Sequence, residues 1–173
     1  MDSSDMSVPG KRDIALGLIA AVIIALIVVF SIKWPGGGKT LGDEYTSHIY
    51  SHDSFRLLTS DFEDDYQLML FRHDNHHDDV FTFEYDDDTD SYLIYIEVRG
   101  ERLYLSESDD NKIYMSRTSE ADGCRWKVKR EGNSMFFYII NTRDNMVMYE
   151  AGNLYAELMP YGNSDENALM RLQ

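Results

Sequence analysis

The sequence predicts an all-β soluble domain that follows one N-terminal transmembrane α-helix. Near the start of the chain, an uncharged run extends over nineteen residues, from 14 to 32. After residue 44 the chain consists of short segments rich in aromatic and β-branched residues, separated by clusters of turn-forming residues. These segments return at intervals of about 45 residues, which is typical of a fold built from repeated units.

The uncharged run has the length of a membrane-spanning helix. At a rise of about 1.5 Å per residue, it spans roughly 28 Å, close to the hydrocarbon thickness of a bilayer. Lys33 and Trp34 follow it and suit the headgroup region. The run is longer than the ~7–15-residue core of a cleaved signal peptide, and it lacks the polar face of a buried core helix. We therefore predict a short tail at residues 1–13 and a signal anchor at residues 14–34.

Three small residues lie four positions apart along this predicted helix, at Gly17, Ala21 and Ala25. Such a stripe permits close helix–helix approach and a homodimer, although small residues are also common in membrane helices generally. The basic residues on the two sides of the helix are nearly equal in number, so they do not decide its orientation. We expect the C-terminal domain to lie outside the cytoplasm, at a cell surface or on a virion. The single cysteine and the absence of glycosylation sequons favour instead a cytosol-facing domain, a bacterial or viral protein, or a domain whose core is stable without disulfides.

The charge of the remaining chain limits the kinds of partner that it can bind. Residues 35–44 form a glycine-rich linker, and residues 45–173 form the predicted β domain. Between residues 41 and 90 there are 2 basic and 15 acidic residues. Such a field repels nucleic acid and anionic headgroups and attracts cations or basic partners. We therefore predict no nucleic-acid binding.

The predicted strands group into three units of four. Residues 125–129 alternate strictly, which places Trp126 and Val128 toward the core and the three cations outward. The closing strands of the units are spaced so that Phe81, Trp126 and Met170 occupy equivalent places. The predicted strands, unit by unit, are residues 45–49, 55–58, 66–70 and 80–83; residues 92–98, 102–105, 112–115 and 125–128; and residues 136–141, 145–148, 154–158 and 169–172.

This arrangement resembles a β-trefoil, the twelve-stranded pseudo-threefold fold of ricin-type lectins, fascin-like domains and fibroblast growth factors. The resemblance implies a ligand-binding scaffold without naming the ligand. Ricin-type lectins carry Gln-x-Trp in their closing strands. The corresponding positions here read Asp79-Val80-Phe81, Cys124-Arg125-Trp126 and Asn167-Ala168-Leu169. Because the motif is missing from all three, no sugar-binding residue is transferred to this chain. The alternative all-β architecture is a sandwich with a similar number of strands.

Histidines and carboxylates between two strands of the first unit form one candidate metal site. His73, His76 and His77 are mixed with aspartates, and imidazole with carboxylate suits zinc, copper or nickel. Adjacent His76 and His77 do not easily meet one ion, so the other interpretation is a solvated polar loop.

Alternating aspartates form a second candidate metal site. Asp86, Asp88 and Asp90 are spaced as calcium ligands are. Ser91, however, replaces the glycine that a calcium loop needs at its turn, and strands flank the segment instead of helices. The other interpretation is an acidic hairpin turn.

Signatures of catalysis are absent from the sequence. Cys124, the single cysteine, precedes a core strand and is predicted to be buried, and none of the common nucleophile, metalloprotease or nucleotide motifs occurs. We predict no enzyme and no cofactor beyond calcium or zinc at the two candidate sites. The favoured function is a single-pass membrane-anchored binding module that presents an acidic surface to a protein or glycan partner, with a basic partner favoured by charge. The alternatives are a structural membrane protein of a virus particle or large assembly and a cation-binding surface domain.

Overall fold

The structure, a computed structural model, describes four stretches of the chain: residues 39–60, 68–73, 79–120 and 122–173. All of them belong to the second of the chain's two compact units, Gly37–Gln173.

Several predictions concern residues outside these stretches. The predicted signal anchor at residues 14–34 lies outside them, together with the small-residue stripe Gly17, Ala21 and Ala25, and both stay predictions. Among the described residues, no helix has the length and apolar character that a membrane span requires.

The described residues contain thirteen β-strands, which hydrogen bond into one continuous sheet, and three short 3-10 helices. The strands are β1 Glu44–Ser47, β2 Ile49–Ser51, β3 Leu57–Ser60, β4 Met69–Arg72, β5 Phe81–Asp86, β6 Ser91–Val98, β7 Glu101–Glu107, β8 Ile113–Ser116, β9 Arg125–Arg130, β10 Phe136–Asn141, β11 Met146–Glu150, β12 Ala156–Pro160 and β13 Met170–Leu172. The 3-10 helices are Asp122–Cys124, Tyr161–Asn163 and Glu166–Ala168.

Part of the sheet closes into a barrel. The strand order is β1-β5-β6-β9-β10-β13-β2, and every neighbouring pair is antiparallel. β1 and β2 are one strand interrupted at His48, whose backbone exchanges hydrogen bonds with Gln173. Because β2 continues β1, the order of hydrogen-bonded strands ends on the strand where it began. Six strands therefore surround the barrel. Each unit contributes its first and its fourth strand.

The second and third strands of each unit form three hairpins. They are β3 with β4, β7 with β8, and β11 with β12. Isolated bridges join each hairpin to both others. The bridged pairs are Leu68 with Tyr114, Leu70 with Tyr155, and Lys112 with Glu157. The predicted organisation into three four-stranded units is therefore confirmed for the described strands.

The core repeats with the units. Ile49, Ile94 and Ile139 lie 45 residues apart and are fully buried. A second fully buried layer comes from the closing strands: Phe81, Trp126 and Met170. Val128 is also buried while the cations beside it are only half-buried, so the inward and outward alternation predicted for β9 is confirmed.

The first unit departs from the predicted strand boundaries. Its second strand was expected to begin at Phe55, and this is wrong because β3 begins at Leu57. Phe55 lies in the preceding turn with φ of 55°, a left-handed conformation that a strand cannot contain. The closing strand runs from Phe81 to Asp86, beyond its predicted end at residue 83.

Buried ion pairs join neighbouring units. Glu107 and Glu150 end the second strands of units two and three, and their side chains are 0% and 9% exposed. Arg143 Nη2 of unit three donates to Glu107 Oε1 at 3.1 Å. Arg56 of unit one donates to Glu150. Each glutamate is therefore paired with an arginine from the next unit around the barrel.

The two glutamates are expected to give the stability of the domain opposite pH dependences. Burial raises the pKa of Glu107 above 4.5, even though Arg143 opposes the shift. Burial acts on Glu150 as well, but hydrogen bonds from Ser54 and Arg56 outweigh it and hold the pKa of Glu150 below 4.5. The Glu107 carboxyl group therefore makes stability fall as pH rises above 4.5, whereas the Glu150 carboxylate makes stability fall as pH drops below 4.5.

Melting temperatures measured between pH 3 and pH 7 test this difference. We expect Glu107→Gln to flatten the decline above pH 4.5 and Glu150→Gln to flatten the decline below it. Changes of the same sign in both variants would contradict the assignment.

Candidate functional site

A row of hydroxyl-bearing side chains crosses five neighbouring strands. Each residue of this row pairs directly with the next one on the adjacent strand, from β1 through β5, β6 and β7 to β8. We call this set the hydroxyl row: Thr46, Thr82, Tyr95, Tyr104 and Ser116. Paired residues share one face of a sheet. Their neighbours along the strands are the core residues, so the hydroxyl row lies on the outer face of the barrel and of its second hairpin.

Arg102 is fixed beside the two tyrosines of the hydroxyl row. Its Nη1 donates to Glu84 Oε2 at 3.1 Å, and its Nε lies 3.5 Å from Glu97 Oε1. Its guanidinium carbon lies 4.4 Å from the centre of the Tyr95 ring, within the range of a cation–π contact. The Tyr95 and Tyr104 ring centres are 5.6 Å apart. Arg102 therefore lies over the Tyr95 ring and is paired with carboxylates of β5 and β6.

A cavity of about 410 Å³ opens beside Tyr104, and we call it the Tyr104 cavity. Glu101, Arg102, Tyr104 and Arg117 line it. Arg117 is exposed and forms no ion pair with any carboxylate that the structure describes. The Tyr104 cavity therefore combines a carboxylate that accepts hydrogen bonds, guanidinium groups that donate them, and a half-buried aromatic ring.

Two further cavities adjoin the same strands. One of about 350 Å³ is lined by Asp79, Val80, Thr82, Ile96 and Glu97. The other, of about 310 Å³, lies against the acidic turn. Both have carboxylates in their walls and no arginine, so they lack the mixed donors and acceptors of the Tyr104 cavity.

The hydroxyl of Tyr95, the partner of Tyr104 in the hydroxyl row, stays protonated. Burial raises the pKa of Tyr95, and the nearby Glu84 and Glu44 carboxylates raise it further, while Arg102 opposes them. A hydroxyl with a raised pKa remains a hydrogen-bond donor throughout the physiological range.

The aspartates predicted as calcium ligands lie in the turn between β5 and β6. Asp86 Oδ2 accepts a hydrogen bond from Arg125 Nη1 at 2.6 Å, and Asp86 Oδ1 accepts one from the Asp88 N–H at 3.0 Å. Burial alone would raise the pKa of Asp86, but these donors outweigh burial and lower it. Asp86 is therefore an ionised partner of Arg125.

Asp90 has other partners on the far side of the turn. Tyr85 donates its hydroxyl to Asp90 Oδ1 at 2.5 Å, and Lys127 Nζ lies 3.9 Å from Asp90 Oδ2. The hydrogen bond to Asp90, with burial, raises the pKa of Tyr85 to about 12. Asp86 and Asp90 are therefore each paired with a cation of β9, while the Asp88 backbone N–H donates to Asp86.

The histidine candidates are only partly described. His73 is exposed, and His76 and His77 lie outside the described residues. Within the described stretches, no group of three or more His, Cys, Asp or Glu side chains is placed to hold a metal ion. Calcium or zinc binding by this chain stays a prediction. Cys124, predicted to be buried, is fully buried.

Comparison with known proteins identifies the fold. No protein-family model and no curated protein matches the sequence. Among solved structures, Cry35Ab1 matches with a TM-score of 0.64 and 18% identity over 77% of this chain, although the match spans only 36% of Cry35Ab1. A designed threefold-symmetric protein, ThreeFoil, matches with a TM-score of 0.60 and 12% identity over 73% of this chain and 96% of its own. SeviL, bound to an asialo-GM1 saccharide, matches with a TM-score of 0.57 and 14% identity over 74% of this chain and 95% of its own.

The domain has the β-trefoil fold. The resemblance predicted from three repeated units is confirmed, and the alternative sandwich is wrong because the sheet closes on itself.

Within the β-trefoil, the Tyr104 cavity breaks the pseudo-threefold symmetry. The residues equivalent to Tyr104 are Leu57 in unit one and Val147 in unit three, since each pairs with the equivalent residue of its first strand. Both are buried and apolar. An aromatic hydroxyl at this place therefore belongs to unit two alone, and packing that the three units share does not explain it.

Proposed function

We propose that this chain is a single-pass membrane-anchored β-trefoil binding module that holds a glycan in the Tyr104 cavity. The observation that supports the proposal most directly is Arg117, an exposed guanidinium without a carboxylate partner among the described residues. It stands in the wall of an open cavity that also holds a tyrosine ring and the carboxylate of Glu101.

The chemistry of the Tyr104 cavity suits a ligand rich in hydroxyl groups. Each sugar hydroxyl both donates and accepts a hydrogen bond, and the cavity offers Glu101 as an acceptor and Arg117 as a donor. The apolar C–H face of a pyranose can lie against the ring of Tyr104. SeviL, which shares the fold, is bound to a saccharide, and this supports the same class of ligand here.

Charge favours a neutral glycan over an acidic one. The chain has a net charge of −15, and its first 38 residues hold equal numbers of basic and acidic residues. The whole excess of negative charge therefore lies in the part that contains the β-trefoil, where it repels anionic ligands and attracts basic ones. The acidic surface gives the module a second preference, for basic protein partners.

The membrane anchor is part of the proposal and rests on the uncharged residues 14–32. The chain enters the barrel where Thr40 Oγ1 donates to the Val128 carbonyl at 2.7 Å and the Leu41 N–H donates to the Tyr92 hydroxyl at 2.9 Å. Residues 35–39 connect the predicted anchor to this entry. We place the module outside the cytoplasm, with dimerisation through Gly17, Ala21 and Ala25 as an associated proposal.

Replacing Arg117 by alanine is expected to weaken glycan binding by about tenfold or more. A hydrogen bond to a charged group contributes about 1.5–3 kcal/mol, and this variant removes one without disturbing an internal ion pair. The measurement is a glycan array probed with the detergent-solubilised full-length chain, followed by titration of the neutral glycan that binds best.

Arg130→Ala is the matched control, since Arg130 is also an exposed arginine near an aromatic ring but does not line the cavity. Equal losses in the two variants would show a general charge effect and contradict the proposed site. Absence of binding to every neutral glycan would contradict the proposed function.

A further inference from the structure

One turn position of the β-trefoil repeat carries an unexpected side chain in unit one. The turn between the first and second strands ends at Phe55 in unit one, Gly100 in unit two and Asn145 in unit three. By strand register Asn145 is the equivalent of Phe55, whereas the strands of unit two pair for two residues more before they turn. All three have positive φ, of 55°, 83° and 55°. Glycine adopts this left-handed conformation freely, and asparagine does so more easily than other residues. Phenylalanine is strained there, so the local fold does not account for Phe55.

Core packing does not account for Phe55 either, because its side chain is 65% exposed. The residues on both sides of it are fixed. Ser54 and Arg56 donate hydrogen bonds to the two oxygens of the buried Glu150 carboxylate. The Phe55 N–H donates to the Ser51 carbonyl at 3.1 Å. The backbone of the turn is therefore tied down on both sides of Phe55, and the Phe55 side chain projects from it into solvent.

A second turn also places an exposed apolar residue at a position with positive φ. Leu154, between β11 and β12, has φ of 75° and is 40% exposed. Asn111 occupies the equivalent place in the β7–β8 turn, also with positive φ. The Leu154 N–H donates to the Ala151 carbonyl at 2.9 Å, and its carbonyl accepts from the Phe71 N–H at 2.8 Å.

Both turns adjoin Glu150. The turn of Phe55 is bonded to the Glu150 carboxylate, and the turn of Leu154 begins at the residue that follows Glu150. Two strained, exposed apolar side chains are therefore presented from one junction, between units three and one. Exposed aromatic and aliphatic anchors on a rigid frame are typical of the centre of a protein-binding surface.

We propose that Phe55 and Leu154 are paired anchors for a protein partner whose apolar pocket is rimmed by basic side chains. The negative charge of the domain favours a protein partner with basic side chains. The net charge of −15 lies in the part of the chain that carries both anchors, so it draws a basic rim toward them. The same charge repels an anionic lipid surface and a second copy of the domain. This surface is distinct from the Tyr104 cavity of unit two, so the inference does not depend on glycan binding.

Phe55→Asn and Leu154→Asn test the inference, because asparagine already occupies the equivalent positions in other units. The probe is a random peptide library displayed against the detergent-solubilised full-length chain, with empty micelles as background. We expect the selected peptides to combine aromatic or aliphatic residues with Lys and Arg. Each variant is expected to weaken their binding tenfold or more and to raise the melting temperature by about 2–5 °C, since strain is relieved and little packing is lost.

Met135→Asn is the matched control, because Met135 is 59% exposed in a different turn and should leave peptide affinity unchanged. A lower melting temperature for Phe55→Asn, or unchanged peptide affinity, would overturn the proposal. It would also be overturned if Phe55→Asn abolished binding to phosphatidylserine vesicles or self-association of the chain, since the occupant would then be lipid or a second copy. Arg117→Ala should retain peptide binding, so this result is independent of the glycan proposal.

Discussion

Trp126→Ala is expected to destabilise the domain by about 4–5 kcal/mol. Trp126 is fully buried in the layer that also holds Phe81 and Met170, and removing so large a side chain leaves a cavity that costs about 3–5 kcal/mol. Its indole Nε1 also donates to the Leu105 carbonyl at 2.8 Å, and the variant leaves that buried oxygen without its partner. Urea unfolding of the full-length chain, followed by circular dichroism, measures the loss.

Trp126→Phe is the graded control for this substitution. Phenylalanine already occupies the equivalent place in unit one, as Phe81, so the ring fits this layer. The expected loss is about 1–2 kcal/mol, from a smaller volume change and the missing indole hydrogen bond. A loss below about 1 kcal/mol for Trp126→Ala would contradict the central place assigned to this residue.

Arg143→Met is the second substitution with a large expected effect, about 3 kcal/mol at pH 7. Methionine keeps the apolar stem of Arg143 and removes the guanidinium, which leaves the fully buried Glu107 carboxylate without its cation. Breaking a buried pair by removing one partner costs about 3–5 kcal/mol. The lower end applies because the Arg143 side chain is 31% exposed. The second carboxylate oxygen, Glu107 Oε2, has no hydrogen-bond partner among the described residues, which adds to its dependence on Arg143.

The pH dependence and a double variant distinguish loss of the Glu107–Arg143 ion pair from nonspecific destabilisation of the domain. Burial already raises the pKa of Glu107, and loss of Arg143 raises it further, so the deficit should shrink as pH falls and the carboxyl group is protonated. Glu107→Gln combined with Arg143→Met should recover most of the loss, since no buried charge remains. Losses that simply add in the double variant would contradict the pairing.

The sequence was sufficient to predict the repeat and the fold. Trp126 and Val128 were assigned to the core from alternation, and Phe81, Trp126 and Met170 were matched from spacing alone; the structure buries all four. These predictions succeed because inward positions of short strands depend on local pattern and because the repeat supplies the pattern three times.

The turn at Phe55 shows where local pattern fails. An aromatic residue before two leucines is typical of a strand, so the strand was predicted to begin at Phe55. The repeat contains the contrary signal, since Asn145 at the equivalent position of unit three is a residue that tolerates the left-handed conformation. Aligning the three units would have identified the turn and its unusual occupant.

The candidate site could not be predicted from the sequence, for a different reason. Tyr104 and Arg117 meet only through the pairing of β7 with β8, and Tyr95 joins them through the register of β6. Sequence separation does not determine such registers. In the same way, the cations that face Asp86 and Asp90, Arg125 and Lys127, lie on the distant β9 and are brought to the acidic turn by strand pairing.

The measurement that tests the proposed function most directly is glycan binding by the full-length chain reconstituted into phosphatidylcholine nanodiscs through residues 14–34. We expect the chain to insert and to bind the best neutral glycan from the array reversibly. Tyr104→Ala and Arg117→Ala should each weaken that binding tenfold or more, while Phe55→Asn should leave it unchanged. Failure to insert, or equal glycan affinity in all four proteins, would contradict a membrane-anchored β-trefoil that binds through the Tyr104 cavity.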